Sequence, residues 1–136
     1  MIPKFRACDV NSKEIVAVAR IEFDSETIFI ANNNKSINDD QNFGFWQGFK
    51  SFILMQSTGL HDENGVEIFE GDIVEIIYDR EPFTGVVVYD LGETDFKATN
   101  NREDYGNNFQ YLTVGESIKV IGNVHQHPEL LEVTDE

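Results

Sequence analysis

The chain has 136 residues, a length that fits one domain. Its 40% hydrophobic and 12% aromatic residues, eleven of them Phe, supply enough apolar material for a core. Twenty-five acids against ten Lys and Arg give a formal charge of −15, which excludes phosphate-driven nucleic-acid binding and docking on an anionic membrane.

One Cys excludes an internal disulfide and a cysteine-based zinc cluster. The sequence shows no apolar run near the roughly 20 residues of a membrane helix, and no signal-peptide pattern opens it. The expectation is a soluble, cytoplasmic protein of one domain, 1–136.

In chain order, residues 15–24 alternate with period two. Ile15, Ala17, Ala19, Ile21 and Phe23 form one stripe, and Val16, Val18, Arg20, Glu22 and Asp24 the other, as a strand requires. Asp24-Ser25-Glu26 offers turn chemistry before a returning strand at Thr27–Ile30. The Asn- and Asp-rich run 32–42 is expected to be a mobile loop, because these side chains compete with regular backbone bonding. Phe43, Phe45, Trp46, Phe49, Phe52 and Ile53 have spacings that predict a short amphipathic helix, weakened by Gly44 and Gly48, or an irregular plug at one end of the core.

Phe52–Gln56 reads as strand. Asp62-Glu63-Asn64-Gly65 predicts a tight hairpin turn with two positive-φ residues. Gly71-Asp72 leads into the apolar run 73–78, which suits a strand covered on both faces. Residues 81–85 are expected to turn and 86–89 to form the next strand. A second polar loop is expected near 99–110. Ile118, Val120, Gly122 and Val124 predict the last strand, with Lys119, Asn123 and His125 on its other face. Pro128 and Glu129 can start a short helical turn before the acidic tail, 132–136. The fold class is mainly β: a small antiparallel barrel or sandwich, SH3-like in the Gly-Asp strand, with one or two short helices at most.

The charge is uneven. Residues 1–50 hold seven acids and six bases, a net of −1, whereas residues 51–96 hold eleven acids and only Arg80, a net of −10.

Several blocks resemble the YopX family: Lys4-Phe5-Arg6-Ala7 at the start, Met55 to Leu60, Asp62 to Gly65 and Glu67 to Val74 in the centre, and Val120 to Val124 with Pro128 to Leu131 at the close. The resemblance spans nearly the whole chain. It implies a small β-rich protein encoded by bacteriophages and prophages, mostly of Gram-positive bacteria, and it supplies no catalytic residues. Cys8 stands where the family usually has Trp, and His125 and His127 where it more often has Tyr and Asn.

Candidate chemistry is sparse. His125 and His127 are two apart, so on a strand they share a face, and His61 could add a third ligand; polar residues on a solvated face explain them better. Asp62 to Gly65 lacks the spacing of a calcium loop. Cys8 is followed by Asp9, which opposes a thiolate. No nucleophile elbow or phosphate-binding loop occurs, and no metal or cofactor is expected.

The remaining candidate is an acidic partner-binding surface made by Glu67, Glu70, Asp72, Glu75 and Asp79. Same-face strand residues lie roughly 6.6 Å apart, near two phosphate rises along a DNA strand of about 6.8 Å. One expectation is therefore a non-enzymatic phage or prophage accessory protein that acts through contacts with a protein partner or with itself. A second is an acidic nucleic-acid mimic, which needs one continuous acidic surface unbroken by Lys4, Arg6, Lys97 or Lys119. A third is an enzyme with a pocket of converging ionisable groups.

Overall fold

In the computed structural model, residues 3–31, 44–78, 80–100, 109–112 and 117–131 are described. The two expected loops lie largely outside these residues. Among the described residues there are eleven strands and two one-turn 3-10 helices, and the strands form two antiparallel sheets with no closed barrel. The backbone contacts divide the chain into two compact units, 2–56 and 57–136.

The first unit holds β1 (Phe5–Asp9), β2 (Ile15–Glu22), β3 (Thr27–Ala31), β4 (Gly44–Gly48) and the start of β5 (Phe52–His61), in the order β4-β3-β2-β1-β5. Its core is Ala7, Ile28 and Ile30, with Val16, Val18 and Ile21 packed against them. The period-two stripe of β2 is real, but its inward face changes along the strand. Val16 and Val18 face the core, while Ala17 and Ala19 are exposed. A bulge between Val18 and Arg20, where β2 pairs with β3, then turns Ile21 inward and leaves Phe23 72% exposed. One inserted residue exchanges the faces of a strand.

The helix expected over 43–53 does not form. Gly44–Gly48 is β4, paired with β3 from Thr27↔Gly48 to Ala31↔Gly44, and only Phe49–Ser51 makes a helical turn. A helix bracketed by two glycines has a weak intrinsic preference, and cross-strand bonding to β3 overrides it.

The second unit holds the end of β5, β6 (Glu67–Phe69), β7 (Asp72–Tyr78), β8 (Glu81–Asp90), β9 (Asp95–Thr99), β10 (Phe109–Tyr111) and β11 (Ser117–Asn123). Its five-stranded sheet runs β10-β9-β8-β7-β11. Ile68 of β6 and Leu60 of β5 pack with Val74, Ile76 and Val87 of that sheet, a sandwich-like layering. β7 lies between β8 and β11, and Ile73, Val74 and Ile76 are fully buried on its two faces, as the apolar run suggested.

β8 starts earlier than expected. Tyr78 pairs with Glu81, so only two residues link β7 to β8, the second being Arg80 at φ 66°. Residues 81–85 are therefore strand. Gly85 is needed there, since a Cβ would lie 2.8 Å from the Phe83 ring and 2.9 Å from the Thr99 backbone nitrogen.

β11 stops at Asn123. A bulge between Val120 and Gly122 breaks the expected alternation, and Val124 and His125 lie in the following turn. The expected final turn is present as a 3-10 helix, Pro128–Leu131.

Gly85→Ala is expected to destabilise the fold by about 1–3 kcal/mol, because the neighbouring backbone must shift to accept the methyl group. Gly48→Ala, with open space around the added Cβ, is expected to stay within about 0.5 kcal/mol of the parent. Urea denaturation followed by circular dichroism measures both.

Candidate functional site

The acidic residues named from the sequence do not form one row. Asp72 is only 2% exposed, and its Oδ2 accepts the Phe69 backbone N–H at 2.8 Å, closing the β6–β7 turn over Gly71 at φ 87°. Glu75 lies three residues on, so it projects from the opposite face of β7. It stands directly across from Lys119 of β11. Glu67 is on β6 opposite His61, Glu70 is in the following turn, and Asp79 lies outside the described residues. Farther along the acidic stretch, Asp90 is 3.2 Å from Lys97, and Tyr111 donates its hydroxyl to the same carboxylate at 3.4 Å. The Lys97 ammonium, followed by the Glu93 and Gly92 backbone bonds, outweighs partial burial and holds Asp90 below the usual carboxylate range. Lys97 and Lys119 therefore interrupt the acidic surface that a nucleic-acid mimic needs.

Asp62 has a structural task. The Gly65 N–H bonds the Asp62 carbonyl at 3.0 Å, the Asp62 N–H bonds the Val66 carbonyl at 2.8 Å, and Gly65 alone in this turn has positive φ, at 82°. The turn is thus the three-residue type with a bulged glycine, in place of the expected two-residue form. Asp62 Oδ1 accepts the Asn64 and Val66 N–H groups at 2.9 and 2.8 Å, and Oδ2 accepts the Val120 N–H of β11 at 3.0 Å. Burial alone would raise the pKa of this carboxyl. The three backbone donors, together with the Lys119 charge, outweigh that and hold it below its ordinary value.

The histidines do not share a strand face. His127 Nδ1 accepts the Asn123 N–H at 3.2 Å, and the Asn123 side-chain oxygen accepts the His125 and Gln126 N–H groups at 3.1 and 2.9 Å. Both residues lie in the segment that follows β11. Cys8 is buried, with its thiol directed to the Asp9 carbonyl at 3.6 Å, and burial pushes its pKa up. Among the described residues no three His, Cys, Asp or Glu side chains are grouped to hold a metal ion.

Two features of the first unit bring aromatic and cationic side chains together at the surface. The first is a row across β2, β3 and β4, where Arg20 pairs with Phe29 and Phe29 with Trp46. The Arg20 guanidinium lies 5.5 Å from the Phe29 ring centroid, and Trp46 meets Phe29 edge-on at 5.3 Å while staying 47% exposed. The second is an open cleft of about 500 Å³ beside the β2 bulge, lined by Phe5, Val18, Ile21 and Phe23, with Lys4 and Arg20 as its charged groups. No carboxylate, histidine or thiol is among its described lining residues. Sequence reading missed both features. The row depends on strand register, whereas the sequence pattern predicts a short helix or an irregular plug around Trp46.

The YopX protein family matches residues 4–132. This chain belongs to the YopX family. The crystal structure of protein EF1440 from Enterococcus faecalis is similar to this YopX chain over 97% of its length and 99% of that protein's own, with 28% identity and a TM-score of 0.59. No curated protein matches the chain. The blocks that suggested YopX membership are the structural nodes just described. In the central block, the Thr58 hydroxyl donates to the Ile68 carbonyl at 2.8 Å and accepts the Leu60 N–H at 3.0 Å, fixing the irregular stretch of β5 at Gly59, φ 79°. Asp62, Asp72 and Asn123 fix the turns that follow.

Asp62→Asn is expected to cost about 1–3 kcal/mol, since an amide nitrogen cannot accept the Val120 N–H. Because the folded pKa of Asp62 lies below its unfolded value near about 3.9, its contribution is present above that value and is lost as pH falls through the folded pKa. Urea midpoints measured from neutral pH down into the acid range are therefore expected to fall less steeply in Asp62→Asn than in the parent.

Proposed function

We propose that this YopX protein is a phage- or prophage-encoded accessory protein of the bacterial cytoplasm that acts by non-catalytic contact with another protein. The observation that carries this reading is the exposed Arg20–Phe29–Trp46 row. Trp, Phe and Arg are enriched at interface centres, where a few such anchors supply most of the binding energy. The row lies within residues 1–50, whose net charge is −1 against −10 for residues 51–96, so an acidic partner meets less repulsion there.

The test is affinity capture from lysogenic or infected cells with the full chain and with matched variants. Trp46→Ala is expected to weaken capture of a partner by about tenfold or more, while Glu75→Gln leaves it unchanged and both variants keep the parent's circular dichroism spectrum. A partner retained equally by Trp46→Ala and Arg20→Ala would overturn the assignment of this face. Size-exclusion chromatography at two concentrations separates self-association from a different partner.

A further inference from the structure

We propose that the cleft beside the β2 bulge is a binding site for a small organic anion with an apolar body, of the aryl or alkyl carboxylate, sulfonate or phosphate class. The cleft is a product of topology. β1 pairs with β2 only as far as Arg6↔Ala17, yet pairs with β5 one residue further, at Phe5↔Gln56. Just beyond Ala17 the register of β2 shifts by one residue against β3. The two strands therefore part company at Phe5 and Val18, and the gap between them is the cleft.

Its volume, about 500 Å³, falls within the range of roughly 300–1,000 Å³ typical of small-molecule sites. Phe5, Val18, Ile21 and Phe23 give an apolar wall, and Phe23 is 72% exposed, an unusual loss of buried area for a Phe. Phe23 also meets the Phe49 ring edge-on, with centroids 6.5 Å apart, which sets the orientation of one side of the cleft.

The charge of the lining chooses the ligand. In a chain of formal charge −15, the charged groups among the described lining residues are both cations, Lys4 and Arg20. The Arg20 guanidinium is held over Phe29 and so is partly pre-positioned. An anion gains from both cations, whereas a cationic ligand meets repulsion and a neutral one lacks the charge attraction, with Gln56 the one uncharged polar side chain in the described lining. The site is separate from the protein-contact reading except at Arg20, which belongs to both.

The probe is 8-anilinonaphthalene-1-sulfonate, titrated into the folded full chain and followed by fluorescence, with uncharged N-phenyl-1-naphthylamine as the apolar control. The expected result is saturable binding of the sulfonate at one site, weaker at raised salt, and at least about tenfold tighter than the control. The double variant Lys4→Gln/Arg20→Gln is expected to weaken the sulfonate about tenfold and to leave the control unchanged. Ala19→Trp, which places a large side chain at the cleft, is expected to remove binding of both. Equal affinity for the two probes, or an unchanged affinity in the double variant, overturns the anion assignment. Absence of saturable binding, or full binding by a folded Ala19→Trp variant, overturns the cleft itself. If Ala19→Trp fails to keep the parent's far-ultraviolet spectrum, the double variant alone decides. Glu75→Gln, which lies outside both the cleft lining and the Arg20–Phe29–Trp46 row, is expected to leave the sulfonate affinity unchanged.

Discussion

The 57–136 unit depends on one buried carboxylate. Asp62 draws three backbone N–H groups to its two oxygens, two from its own turn and one from Val120, 58 residues later. The neighbouring Glu63 N–H reaches the Ile118 carbonyl at 3.0 Å. A hairpin turn is thereby bonded to the last strand of the sheet. A neutral side chain of the same shape offers fewer acceptors, and charge-assisted bonds are stronger than neutral ones. At the other end of β11, Asn123 stands opposite Asp72, the Gly71 carbonyl accepts the Val124 N–H at 2.8 Å, and Gly71 itself donates to Val87 at 2.9 Å. The central and closing blocks of the chain are thus two halves of one bonding scheme. Residues within the blocks that resemble the YopX family thus hold strands in register.

Acidity has the same local explanation. Asp62, Asp72 and Asp90 each accept backbone N–H groups in a turn, a task for which a short carboxylate is well suited. The net charge of the central stretch is in part the sum of these separate uses. It is interrupted by Lys97 beside Asp90 and by Lys119 across from Glu75. In the 2–56 unit, by contrast, Lys4, Arg20 and several aromatic rings stand on or beside β2.

Bulges decide where that chemistry appears. The shift in β2 turns Ile21 into the core and sends Phe23 outward, and it sets Arg20 across from Phe29. The shift in β11 brings Val120 to Asp62 and Asn123 to the turn held by His127. A single extra residue redistributes every side chain after it between the two faces, so its consequences outweigh its size.

Sequence alone determined the β class, strands over 15–24, 27–30 and 73–78 that the structure places at 15–22, 27–31 and 72–78, the glycine before Asp72, a turn at 62–65 and the YopX membership. Each rests on local patterns: alternation, turn residues, or contiguous blocks. It did not determine which face of β2 is buried, that 44–48 is strand, that Asp62 reaches Val120, or that Lys4 and Arg20 share a cleft. Those were decided by tertiary structure, for one physical reason. Strand pairing joins residues far apart in the chain, and a one-residue register shift leaves no local mark in the sequence while reversing which side chains meet.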